Sequence, residues 1–94
     1  MSRALRGIGD DLATWRRLRQ LTAAEVADRA GIGVATVLRL ERGDGASLEN
    51  LLRVARAMGV LEQLTAALDP YATDVGRLRA DEALPKRVRR RRVT

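Results

Sequence analysis

The side chains of this chain that could do chemistry are almost all guanidinium groups. Arginine occurs 17 times and lysine once, as Lys86, against 12 Asp and Glu. A guanidinium stays charged at any working pH. Its planar fork of N–H donors matches phosphate, carboxylate and the O6/N7 edge of guanine. That is binding chemistry, although so strong a bias to Arg over Lys reflects genomic base composition more than phosphate preference. The groups needed for bond breaking are missing. There is no His and no Cys, hence no imidazole base, thiolate nucleophile, disulfide or Cys-based zinc site. Ser2 and Ser47 are the only serines, and neither has an activating base. The composition predicts a protein that is not an enzyme and uses no cofactor or metal.

The basic charge is unevenly placed. Residues 86–92, KRVRRRR, hold six positive charges and no acid, while the whole chain is +6. Residues 1–85 therefore carry 12 basic and 12 acidic side chains and are formally neutral. Charge alone argues for an anionic partner only in the tail, Lys86, Arg87, Arg89, Arg90, Arg91 and Arg92. No run approaches the ~18 apolar residues of a membrane span, and no signal-peptide core opens the chain. A cytoplasmic, nucleoid-associated location and no membrane partner are expected.

The elements that must position these arginines are short helices. Ile8, Leu12, Trp15 and Leu18 recur at helical spacing and predict a first helix from about Gly9 to Gln20, with Asp10 and Asp11 at the positive end of its dipole. A second helix starts at a capping box, Thr22 with Glu25, and stops at Gly31. Ala24, Val26, Ala27 and Ala30 are small enough to admit a neighbouring helix closely. Ile32 fills the turn. A third helix follows from about Val34 to Arg42, with Val37 and Leu40 inward and Gly43 as its end. Two short helices joined through a glycine are the sequence form of a helix-turn-helix, whose second helix enters the DNA major groove. Here that helix opens with Gly33, Val34 and Ala35, where polar base-reading residues would be expected.

Ser47 caps a fourth helix with Glu49 and Asn50 in its first turn and an apolar face of Leu48, Leu51, Leu52, Val54, Ala55 and Met58. Gly59 ends it, and a fifth helix spans Val60 to Leu68 before Asp69-Pro70. Thr73-Asp74 can cap a further short helix through Glu82, weakened by Gly76, with Val75 and Leu78 on one side. These readings give a compact all-α, five-helix domain at residues 1–69. A C-terminal extension follows at 70–85, then a basic tail at 86–94, expected to be disordered when alone.

Leu21-Thr22, Glu25, Ala27, Ala30-Gly31, the Val37/Leu40 pair, Glu41-Arg42-Gly43 and the stretch Leu51 to Val60 together resemble the lambda/434 repressor-like, XRE-type DNA-binding domains over residues 8–68. The resemblance implies a five-helix lambda repressor-like fold and an ion pair between Arg16 and Glu41. It also implies two-fold dimers on palindromic operators, with the fifth helix near the dimer contact. Base-reading positions fall on Val34, Ala35 and Arg39, with Thr36 and Leu38 beside them. Ala23 stands where the family usually has a phosphate-contacting Gln. A looser resemblance covers DPYATDVGRLRADEALPKRVRRRR, which looks like the C-terminal part of small regulators that accompany HipA-type kinase toxins. It suggests a HipB-like antitoxin that represses its own operon, with a HipA-like kinase toxin as partner.

Each residue has a plainer reading beside the functional one. Arg39 is a guanine reader or a solvated arginine; Thr36 is a phosphate contact or a stabiliser of its helix's first turn. Val34 and Ala35 meet thymine methyls or another chain, and Leu38 raises the same alternative. Arg42 suits a phosphate, with Arg17 and Arg29 weaker candidates. Trp15 is core or subunit-contact packing. Leu61, Leu64 and Leu68 form a dimer contact or close the monomer core. Two functions follow: a dimeric regulator of double-stranded DNA, in particular an antitoxin, or a protein-interaction module of the same fold.

The tail has three readings: phosphate contact, docking on an acidic patch of a toxin, or an idle solvated extension. Truncation after Pro85 separates the first from the others. A phosphate-binding tail contributes about −0.9 per neutralised phosphate to the slope of log K against log salt. The truncated chain should then show a shallower slope in a DNA-binding titration, and an unchanged slope eliminates that role.

Overall fold

A computed structural model describes residues 1–72 and 74–83. The tail residues Lys86, Arg87 and Arg89 to Arg92 lie outside the described residues, as does the Thr73 cap. The helices are α1 (Ser2–Leu18), α2 (Ala23–Ala30), α3 (Val34–Arg42), α4 (Leu48–Ala57), α5 (Leu61–Ala67) and α6 (Asp74–Ala83), with a single 3₁₀ turn at Pro70–Ala72. No strand occurs among the described residues, and the architecture is all-α. The chain divides into two compact units, Met1–Glu62 and Gln63–Thr94.

Local signals set most boundaries in the first unit. At α2 the Glu25 N–H donates to the Thr22 hydroxyl at 3.1 Å, and the Thr22 N–H donates to the Glu25 carboxylate at 2.8 Å. Two otherwise unpaired helix-end donors are thereby satisfied. Donation from the Thr22 backbone N–H, helped by the Thr22 hydroxyl, holds the Glu25 carboxyl below the usual carboxylate range. Gly31 then turns the chain at φ 73°, and the Ile32 N–H reaches back to the Ala27 carbonyl at 3.0 Å. Ser47 accepts from the Asn50 N–H at 3.1 Å to open α4.

The core of this unit is aliphatic: Leu12, Ala13, Val26, Ala27, Ala30, Val37, Leu40, Val54, Ala55, Met58 and Val60 are buried. Small residues on α2 allow α3 and α4 to pack against it, and α1 packs on α3. Trp15 is only half-buried; the Arg19 guanidinium lies 5.2 Å over its ring and donates to the Met58 carbonyl at 3.0 Å. In the second unit Arg77 pairs with Asp74 and donates to the Tyr71 carbonyl at 3.0 Å. Val75, Leu78 and Leu68 are exposed there.

The start of α1 differs from expectation. The helix begins at Ser2, seven residues ahead of the expected Gly9, so Asp10 and Asp11 sit mid-helix, away from its positive end. Its inward face is Gly9, Leu12 and Ala13, while Ile8 and Leu18, expected inside, are exposed. The reason is a close helix crossing. A Cβ on Gly9 would stand 2.5 Å from both the Leu40 and Glu41 carbonyl oxygens. The α1 backbone therefore lies directly against the backbone of α3. Gly9 serves tertiary approach rather than marking the start of the helix.

Two glycines in one helix should consequently respond oppositely to the same change. Gly9→Ala drives a methyl into main-chain carbonyls that cannot step aside, and should destabilise by about 1–3 kcal/mol despite alanine's higher helix propensity. A methyl on Gly7 would meet nothing within 4 Å beyond its own helix, so Gly7→Ala should stabilise by up to about 1 kcal/mol. Urea titration of the two variants checks the sign of each.

Candidate nucleic-acid interface

The interface is built around how α3 is held. Its inner residues, Val37 and Leu40, are buried against the core. The far end is fixed electrostatically. Arg16 Nε donates to Glu41 Oε2 at 2.8 Å and Nη2 donates to Oε1 at 3.1 Å, a two-pronged pair. Nη1 of the same guanidinium donates to the Leu21 carbonyl at 3.1 Å. One side chain thus ties α1, the end of α3 and the loop before α2. The Arg16 side chain is 17% exposed and that of Glu41 only 9%. The hydrogen bond and the charge of Glu41 raise the Arg16 pKa above its already high ordinary value, burial opposing them.

With its inner face used, α3 presents the opposite one. Val34, Ala35, Leu38, Arg39 and Arg42 are exposed and Thr36 is half-buried. Ala35 and Arg39, and Val34 and Leu38, are spaced one turn apart and share a face. Arg39 makes no ion pair among the described residues. Arg42 is paired through Nε with Asp44 Oδ2 at 3.3 Å, both side chains exposed. A pair this open is worth under about 1 kcal/mol, so Arg42 can exchange Asp44 for another anion at little cost. Arg17 and Arg29 are exposed on α1 and α2.

The N-terminus of α2 carries less for an anion. Ala23 there is half-buried and has no donor on its side chain, and the Thr22 N–H is already taken by Glu25. Leu61 and Leu64 are half-buried, whereas Leu68 lies beyond the end of α5 and is 84% exposed. No group of three or more His, Cys, Asp or Glu among the described residues is placed to hold a metal. Nor is any helix among them long and apolar enough to cross a membrane.

Sequence reasoning missed two contacts that shape this face. Gly9 sets the closeness of α1 to α3, and its signal was present: Gly9, Leu12, Ala13 and Arg16 follow the i, i+3, i+4, i+7 spacing of a buried helix face. Gly43 makes the other. At φ 87° it ends α3, and a Cβ there would fall 2.7 Å from Arg6 Cγ and 2.9 Å from Arg6 Cα. Nothing local to Gly43 points to Arg6, which is far away in sequence.

A family model described as helix-turn-helix matches residues 12–63, more than half of the chain. No curated protein and no solved structure matches it. The matched span covers α2 and α3 with Arg16 and Glu41, but begins after the first turns of α1.

The pair offers a direct test of how α3 is oriented. Arg16→Met leaves a nearly buried carboxylate unpaired and should cost about 3 kcal/mol. Adding Glu41→Leu removes that carboxylate and should recover part of the loss, with the Leu21 carbonyl still lacking its donor. A double-mutant cycle by chemical denaturation reads the coupling, and additive losses would show that the two groups do not depend on each other.

Proposed function

The chain belongs to the lambda repressor-like helix-turn-helix family, and from that premise we propose that it is a sequence-specific transcriptional regulator that binds a palindromic operator as a dimer. The family is one of DNA-binding regulators. The observation that carries the residue-level reading is the outer face of α3, where Arg39 stands exposed, without an ion pair among the described residues, beside Val34, Ala35 and Leu38. An arginine so placed can donate twice to guanine O6 and N7, and the apolar neighbours suit thymine methyls. Polar readout on this face is thin. Operator shape and deformability therefore take a larger share of specificity. Thr36, Arg42 and Arg17 serve phosphates, and Leu61, Leu64 and Leu68 supply the dimer contact.

Within that function we place the chain as the antitoxin and autorepressor of a HipBA-like pair. The exposed apolar side chains Val75 and Leu78 of the second unit support this role. A partner such as a HipA-like kinase toxin would give them a use that DNA binding does not. Co-purification of a kinase-like protein in a stable complex would support the pairing, and an isolated dimer in lysate would argue against it.

A second reading rests on a specific observation. Val34 and Leu38 are 43% and 40% exposed on the presented face of α3, as they would be on a module whose ligand is another protein. A gel shift with the chain's own upstream region at near-physiological salt separates the two readings. Under the regulator reading, Arg39→Ala should lose about 1–3 kcal/mol on the preferred sequence and relax preference at one base pair. Arg42→Ala should weaken all sequences alike. Equal loss on every sequence from Arg39→Ala would remove Arg39 from base reading.

A further inference from the structure

Arg3 and Arg6 lie in the first two turns of α1, ahead of residue 12 where the family match begins. Both are exposed, and their i, i+3 spacing makes them neighbours on the helix surface. Neither makes an ion pair among the described residues. Arg6 is seated on the C-terminal end of α3: a Cβ on Gly43 would meet its Cγ, Cα and N at 2.7, 2.9 and 3.0 Å. That packing uses only the backbone and the first part of the side-chain stem. The guanidinium is left spare.

The place of this contact matters. α3 has nine residues, a length of about 13 Å at 1.5 Å per residue, against a major groove about 12 Å wide. With its N-terminal residues on base edges, as a docked helix-turn-helix places them, a helix of that length carries its other end, and whatever is packed on that end, toward the backbone at the groove rim. Arg42 is at this end too, with Asp44 its exposed partner at 3.3 Å. Asp10 lies one turn beyond Arg6 on α1, Asp11 beside it falls on another side of the helix, and Glu41 is engaged by Arg16. Three guanidinium groups thus stand against two exposed carboxylates.

We propose that Arg3 and Arg6, together with Arg42, form a phosphate-binding ridge at the C-terminal end of α3, extending the DNA interface beyond the helix-turn-helix itself. The ridge rests on the regulator reading given above. Its ligand is the duplex backbone, so it adds affinity without sequence preference.

The test is a salt titration of full-length chain on two duplexes, the chain's own upstream region and a mixed-sequence duplex of equal length. Arg3→Gln with Arg6→Gln should flatten the slope of log K against log salt by about 1–2 while leaving the ratio of the two affinities unchanged. Arg3→Lys with Arg6→Lys should keep the parent slope. Should the double variant melt early, Arg3→Gln alone, on a residue with no packing role at Gly43, should flatten the slope by about 0.9. A parent chain that binds neither duplex sinks the regulator reading and the ridge with it. A parent that binds, with slopes unchanged in the Gln variants, overturns the ridge alone.

Discussion

The crossing of α1 over α3 is the constraint on which the rest depends. At Gly9 the α1 backbone meets the Leu40 and Glu41 carbonyls with no side chain between them. Such a contact tolerates little sliding, because any Cβ moved into the crossing would collide with main chain. Sterics alone leave α3 free to rock about the crossing. Arg16 removes that freedom by gripping both oxygens of Glu41 in a fork whose geometry fixes direction as well as distance. A pair so little exposed is costly to desolvate and gains its value from being complete. Its third bond, to the Leu21 carbonyl, extends the same grip to the loop that starts α2.

That arrangement divides the labour on α3 cleanly. Val37 and Leu40 fill the core, Glu41 answers Arg16, and Val34, Ala35, Leu38 and Arg39 are exposed with no ion pair among the described residues. They are free to be chosen for a ligand, and most of them are apolar. A helix held rigidly from behind can use such a face, since apolar contacts reward shape fit and lose little when the presenting element is already ordered.

What was legible in the sequence was local. Thr22 with Glu25, Ser47, Gly31 and Gly43 act through partners within four residues, and the boundaries of α2, α3 and α4 follow from them. The start of α1 was not legible that way. Gly7 and Gly9 weaken a helix by propensity, and Asp10 with Asp11 imitates a helix start, so local rules place the beginning too late. What overrides them is a contact between residues more than 30 positions apart, which only tertiary structure supplies. Ile8 and Leu18 misled for the same reason. Their spacing is helical, but the buried face is chosen by the closeness of α3, and the smallest residues occupy it. The candidate site divides similarly. The exposed positions of α3 follow from its inward Val37 and Leu40, whereas the seating of Arg6 on Gly43 has no trace in either neighbourhood.

The formal neutrality of residues 1–85 conceals a separation of charge along the chain. Met1–Glu62 holds ten arginines against eight acids, a net of +2. From Gln63 to Pro85 there are two arginines against Asp69, Asp74, Asp81 and Glu82, a net of −2, and the tail after Pro85 adds +6. The unit that carries α3 is therefore positive where residues 1–85 taken together are neutral, and several of its acids are already engaged by Arg16, Arg42 and Arg53. A polyanion attracts the first and last of these segments and repels the middle one. The cationic tail consequently has two competing counter-charges, one on its own chain only a few residues away and one on an external partner. Its effective contribution to binding is the difference between them, and salt screens both sides of that competition. A strongly basic tail attached through an acidic segment thus attracts a polyanion less than its own charge implies.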